Sequence, residues 1–378
     1  MKITVLAFFD RIALYHTLQP LLSSAFLTTW REVSAATPPI FHLTDSLDFC
    51  LNRDTNPVLL MVRTMLKDDR ITVSHLEQLR TKYRRIIFFN GNAGGGIHRP
   101  EVLPYVDRFY NKALFTDQSR YDTSLYGGEA FSDYYHRVNG INDDRPYITG
   151  PVPPEQRQKL FQHWNIGSGV FPRRRLVQRG GVWLARHGLP QVVRHSYNIG
   201  VPNNNEVFFA PDGSRPIDLH YRVGAPGYNS IRFHRQTLGS VLQPLIERMN
   251  LNTRTGKASH SVYWQEMQSS KIVFSPFGWG EVCFRDFEAI RAGALLLKPD
   301  MSHLQTFPDV YRPFESYVPV NWDGSDIEAK LDYYLSHEDE RLNIATRAQT
   351  MFAEQLAQAS NRAVHVVRGM YDGVQSPA

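Results

Sequence analysis

The segment Ser275–Asp300, SPFGWGEVCFRDFEAIRAGALLLKPD, decides how the rest of the chain is read. It completes the apolar run KIVFSP, so a strand is expected to feed a glycine-aromatic loop and then a helix. Such a turn leaves unpaired backbone N–H groups at the positive end of a helix dipole, which suits an anion. Gly278 and Gly280 would let the backbone approach a ligand closely, while Phe277 and Trp279 have flat faces able to cover a ring. A plain tight turn fits the same glycines. Glu281 and Glu288 stand two helical turns apart and share a face if both are helical. Glu281 fits equally a loop position near a ligand or a partner for the helix dipole, and Glu288 a solvated mid-helix position. Arg285 lies between them, Gly293 ends the helix, and ALLLKP is the next buried strand. Lys298 falls at that strand's carboxyl end, where a phosphate would sit or where an ordinary strand-end lysine would be solvated.

Working outward, strands and helices alternate. ITVLAFF, PIFHL, PVLLMV and IIFFN read as buried strands, and ALYHTLQPLLSSAFLTTW as a helical stretch broken near Pro20. TVSHLEQLRTKYRR places Val73, Leu76, Leu79 and Tyr83 on one helical face. After a Pro-, Gly-, Arg- and Asn-rich stretch at 147–205, EVFFAP, IDLHYRV, KIVFSP, ALLLKP and YVPV read as strands, and HRQTLGSVLQPLIERM and SDIEAKLDYYLSH as helices. Ser325 with Glu328 has the form of a capping box. This alternation predicts an α/β protein with parallel sheets and ligand chemistry at the strands' carboxyl ends.

Composition narrows the class. The 378 residues suit two domains, and 42% hydrophobic with 21% charged residues is a globular balance. Forty-two basic against 37 acidic residues give +5, compatible with an anionic ligand or an anionic membrane surface. The basic residues are scattered apart from Pro172–Arg175, so no nucleic-acid partner is expected. Cys50 and Cys283 are far apart without a CxxC, which points to a reducing, cytoplasmic setting. No apolar run approaches the ~18 residues of a membrane span, leaving peripheral contact at the inner face as the membrane option.

The segment around SPFGWGEVCFRDFEAIRAGALLLKPDMSHLQTFPD resembles the donor site of GT-B glycosyltransferases, in particular the bacterial exostosin-like and spore-coat groups. The resemblance spans mainly Asp218–Tyr334. It implies two Rossmann-like domains facing a cleft: 1–190 on the acceptor side, 191–350 on the donor side, and a helix within 351–378 crossing back to the first. It also implies metal-independent transfer of a sugar from a nucleotide-sugar donor to a surface polysaccharide, glycoconjugate or glycolipid acceptor. Retaining members carry Glu-x7-Glu, whose second Glu holds the ribose; this chain has Glu-x6-Glu, so Glu288 inherits that role and Glu281 does so less directly. Retention is the stereochemistry this favours. In YNSIRFHRQTL, Arg232, His234 and Arg235 match the basic residues that bind donor diphosphate, for which arginine's fork is suited. No DxD tripeptide occurs, so no metal or other cofactor is expected beyond the nucleotide sugar as co-substrate.

In the first block, FFNGNAGGGIHRP ends a strand in a glycine loop that would face the cleft and flex over substrate. His98 there is a candidate base or hydrogen-bond donor. Asp133, with Tyr134, Tyr135 and His136, forms a candidate acceptor surface, and Asp10 follows the first strand. A sugar-nucleotide epimerase and a non-catalytic nucleotide-sugar- or glycan-binding relative are the alternatives carried by the same features.

Overall fold

Continuous apolar runs become the central strands of two parallel sheets. The computed structural model describes residues 2–144, 146–168, 175–197, 208–212, 214–224 and 227–372. The first lobe holds six parallel strands in the spatial order Ile40–Thr44, Lys2–Leu6, Val58–Val62, Arg85–Phe89, Arg108–Asn111, Leu160–Gln162. Val58–Val62, central in this order, is buried at every position, as a strand covered on both faces must be. The second lobe repeats the plan with Thr253–Thr255, Ile217–Tyr221, Ser270–Phe274, Leu295–Pro299 and Val318–Val320. In each sheet the first strand in sequence lies between the second and third, so each has a switch point where crossovers leave to opposite sides. These are two Rossmann-like halves, the organisation expected of a GT-B fold.

The lobes are joined more tightly than an open cleft implies. Ala113–Phe115 pairs antiparallel with Leu304–Thr306, and one buried cluster runs from Leu59 and Phe88 into Phe277 and Leu296. Near the C-terminus, Glu338–Ala357 packs on the second lobe and Ala359–Met370 returns to the first. There Val364, Val367 and Met370 join a core with Val5, Tyr15 and Trp30.

Several local expectations shift. The helical break falls at Ser23, whose hydroxyl caps Ser24–Val33, because Pro20 sits in the first turn of Gln19–Leu22, where its missing N–H costs nothing. Val73 is exposed while Leu76, Leu79 and Tyr83 are buried. Ser325 is not the cap of Ile327–Ser336; Asp326 takes that place without a side-chain cap bond. Glu328 instead pairs with Arg248. Of the strand expected over Glu206–Pro211, Phe208–Pro211 is not a strand and the first two residues lie outside the described residues. Of the basic run Pro172–Arg175, only Arg175 is described, opening the helix Arg175–Arg186.

Candidate active site

Two turns meet between the lobes. The glycine loop after Arg85–Phe89 is buried and closely packed instead of free to flex. A Cβ on Gly94 would lie 2.6 Å from Glu281 Oε2, and one on Gly95 2.6 Å from Leu304 Cδ2. From the other side, Gly280 sits directly against Ala93, with no space for a side chain. The glycines serve close approach of two backbones across the interface.

Beside this contact is a cavity of ≈ 390 Å³ whose wall includes Arg63, His98, Glu129 and Tyr147 from the first lobe and Tyr228 and Trp279 from the second. Tyr126 leads through Gly127 and Gly128, at φ 74° and 78°, into Glu129, the N-cap of Ala130–Asn139. Glu129 Oε2 lies 3.6 Å from His98 Nε2, and the His98 ring stacks on Tyr147 at 4.5 Å. Burial pushes the Glu129 carboxyl above the usual carboxylate range; the neighbouring Glu281 charge adds to this and His98 opposes it. Glu281, fully buried, accepts from the Ala130 N–H at 3.1 Å and lies 3.6 Å from His303 Nε2. It therefore caps a helix of the opposite lobe, neither its own helix nor an open ligand space.

The other expected residues divide. Trp279 is 65% exposed at the cavity wall and meets Tyr228 edge to face at 5.1 Å. Phe277 is buried and stacks on His234 at 4.9 Å. His234 Nε2 accepts from the Phe277 N–H at 3.0 Å, so Nδ1 carries the proton and donates to Tyr135 Oη at 2.7 Å. Burial, Lys298 and Arg235 hold this imidazole neutral, and Tyr135 donates onward to Trp322 O. His234 is thus a fixed interlobe strut, out of reach of a phosphate.

Arg235 donates Nε to Phe277 O at 2.9 Å and lies against Gly278; Arg232 is exposed at the start of Asn229–Arg248. Arg285 donates to Arg222 O at 2.7 Å, and Glu288 accepts from the Tyr263 hydroxyl at 2.8 Å. Burial raises the Glu288 pKa, with Tyr263 and Arg285 opposing. These groups surround the switch point of the second sheet. Lys298 is not with them: it is fully buried, 3.1 Å from Asp286 Oδ2. Asp133 accepts from the Tyr126 N–H and pairs with Arg137, and so faces away from the cavity wall. Tyr134 packs on Trp322, and His136 stacks on Tyr126 at 3.9 Å. Asp10 caps its own turn through Ala13 N and meets Lys67 at 3.2 Å, in a second cavity of ≈ 610 Å³ with Arg11, Arg179 and Trp183. Glu129 and Arg63 escaped the sequence reading; their signals are an acidic residue at the helix start after YGG and a cation closing PVLLMV.

Residues 219–367 match the model of a family described as glycosyl transferase-like. No curated protein matches the sequence. Among solved structures, T4 phage BGT in complex with its UDP-glucose substrate is similar at 10% identity, covering 98% of this chain and 99% of that one, with a TM-score of 0.44. Anabaena HepE in complex with UDP-glucose is similar at 9% identity over 98% and 100% of the two chains, with a TM-score of 0.39. A Rickettsia africae glycosyltransferase gives 9%, 100% and 99%, and 0.44.

Proposed function

We propose that the protein is a metal-independent glycosyltransferase that moves a sugar from a nucleotide-sugar donor to a surface glycan or glycolipid. The observation that carries this is the coincidence of the glycosyl transferase-like match with the second sheet's switch point, which opens beside a cavity walled by His98 and Glu129. In this reading the donor diphosphate meets Arg232, Arg235 and the start of Asn229–Arg248. Tyr263 steadies one oxygen of Glu288, and the other receives the ribose hydroxyls. His98, oriented by Glu129, takes the proton of the acceptor hydroxyl as it attacks the anomeric carbon, while the nucleoside diphosphate leaves.

A panel of nucleotide sugars in a thermal-shift assay tests the donor site, since a ligand at 100 times its Kd stabilises by about 2.7 kcal/mol. One member is expected to raise Tm, and Glu288→Ala and Arg235→Ala to weaken its affinity about tenfold each, as loss of a charge-assisted hydrogen bond does. A flat panel defeats the reading. Turnover is expected to survive excess EDTA; loss restored by magnesium or manganese removes metal independence. A new sugar nucleotide formed without acceptor would assign an epimerase.

No helix among the described residues is long and apolar enough to cross a membrane. The exposed face of Arg175–Arg186 nonetheless carries Leu176 at 80% and Trp183 at 58% exposure beside Arg179 and Arg186. Apolar anchors flanked by cations suit an anionic bilayer surface, and we place peripheral contact at the inner face of the membrane here. Wild-type protein is expected to co-sediment with phosphatidylglycerol vesicles and Trp183→Glu to lose most of that binding; equal binding of both discards this surface.

A further inference from the structure

The carboxyl ends of the first sheet's strands hold two cations, half-buried Arg63 and buried Lys112. Arg63 follows Val58–Val62, and Lys112 follows Arg108–Asn111, at the carboxyl ends of their strands. Neither side chain makes a hydrogen bond or ion pair among the described residues, although Lys112 is only 4% exposed. Arg63 adds repulsion at the Lys112 ammonium. Arg63 faces the Glu129 carboxylate, which is shared with His98, and further off Tyr147, Asp10 and the like-charged Arg99, while Lys112 faces Arg63 and Asp10. Asp10, after Lys2–Leu6, is already engaged by Lys67, and His16 and His163 lie within the field of Lys112 as neutral imidazoles. Between them, Asn90 is fully buried with both side-chain amide atoms unpaired, as are Nδ1 of His16 and of His163.

Buried polar groups are almost always satisfied, and buried charges are paired or neutralised. The Arg63 and Lys112 cations and the Asn90 amide N–H, left open at the strand ends where open α/β sheets take their ligands, ask for an anion. Arg63 also lines the interlobe cavity on the His98–Glu129 side, opposite Tyr228 and Trp279 of the second lobe.

We propose that Arg63, Lys112 and the Asn90 amide form an oxyanion subsite for the acceptor, receiving a phosphate or carboxylate that the acceptor carries next to its reacting hydroxyl. This rests on the glycosyl-transfer reading and adds to it a substrate class: an acidic glycan or a phosphate-linked lipid, not a neutral sugar. Burial and Arg63 lower the Lys112 pKa to about 8, with Asp10 opposing, so its charge is the part of the subsite that pH can remove.

Calorimetric titration with sulfate, whose charge is constant, and with glucuronate tests the subsite and separates its two sources. At pH 7 the wild type is expected to bind one of them, and Lys112→Met and Arg63→Met to weaken that binding at least about tenfold, the loss of one charge-assisted contact. Nucleotide-sugar affinity should change less than about twofold, as for sites without shared partners. Tighter sulfate binding assigns a phosphate-bearing acceptor and tighter glucuronate binding an acidic sugar. On the unmodified protein, affinity for the bound anion should fall as pH is raised from 7 to 9 through the Lys112 pKa, a readout independent of whether the variants fold. Anion affinity unchanged in both variants, no anion binding by the wild type, or competitive displacement of the anion by the nucleotide sugar each overturns the subsite. Anion binding without any nucleotide-sugar binding would instead sink the donor reading and leave the subsite standing.

Discussion

Lys298→Ala is expected to destabilise the fold by about 3–5 kcal/mol, the cost of breaking a buried ion pair from one side. Lys298 and Asp286 are both fully buried, and the ammonium lies 3.1 Å and 3.2 Å from the two carboxylate oxygens. Asp286 also accepts from the Ser275 hydroxyl at 2.6 Å, the Cys283 N–H at 2.9 Å and the Tyr311 hydroxyl at 2.6 Å. It ties the end of Ser270–Phe274 to the start of Phe284–Arg291, so the turn proposed as the donor side depends on it. Alanine would leave that carboxylate in the interior with its charge uncompensated. Lys298→Met combined with Asp286→Asn is expected to recover much of the loss, because an apolar or neutral replacement of both partners avoids the buried charge. Urea unfolding measures this. A donor-phosphate role for Lys298 predicts the opposite pattern, a nearly unchanged urea midpoint with weakened nucleotide binding.

Sequence legibility followed the range of the interactions. Val58–Val62 and Leu295–Pro299 could be read because a strand buried on both faces is apolar at every position. The helix read from His234 starts five residues earlier, at Asn229. Tyr228 gives no local capping signal, and the cap is supplied from the other lobe, where Asp143 accepts from the Ser230 N–H at 2.9 Å. Glu281 poses the same problem in reverse, since its two open readings were both local and its partner Ala130 is 151 positions away. Lys298 stood out by its place at a strand's carboxyl end, where a phosphate would sit or an ordinary strand-end lysine would be solvated. Its assignment depended on whether Asp286, in the same quoted segment, turned inward, which periodicity does not state. Arg232 and Arg235 fall in the first two turns of Asn229–Arg248, so the reading from His234 left Arg232 outside a helix that contains it. The remaining difficulty lay in His98 and Glu129, the pair proposed for catalysis, which come from two loops of the first lobe whose approach no local pattern states.

His98→Ala is expected to lower kcat by about 10²–10⁴-fold, the usual worth of a positioned general base, with donor affinity nearly unchanged. His98 is held by stacking on Tyr147 and lies 3.6 Å from Glu129, within ion-pair range and close enough to tighten around a bound acceptor. Glu129→Gln should also reduce kcat, because a neutral amide no longer stabilises the imidazolium formed as the acceptor proton is taken. The two variants should be non-additive, as residues acting as a unit are. The pH profile separates catalysis from mere structure. Burial raises the Glu129 pKa, so ionised Glu129 accumulates only as pH climbs through that raised value, and the acidic limb of kcat should follow it. Glu129→Gln should abolish that limb. The stability consequence has a definite sign. The folded state holds the Glu129 proton after the unfolded chain has released it, so this contribution is complete below the ordinary glutamate pKa and is lost as pH rises through the folded value. Glu129→Gln should therefore keep or raise Tm at neutral pH while losing turnover. Turnover within a few-fold of wild type in His98→Ala, with the fold intact by circular dichroism, would remove His98 and Glu129 from the reaction and leave the base to another group on the cavity wall.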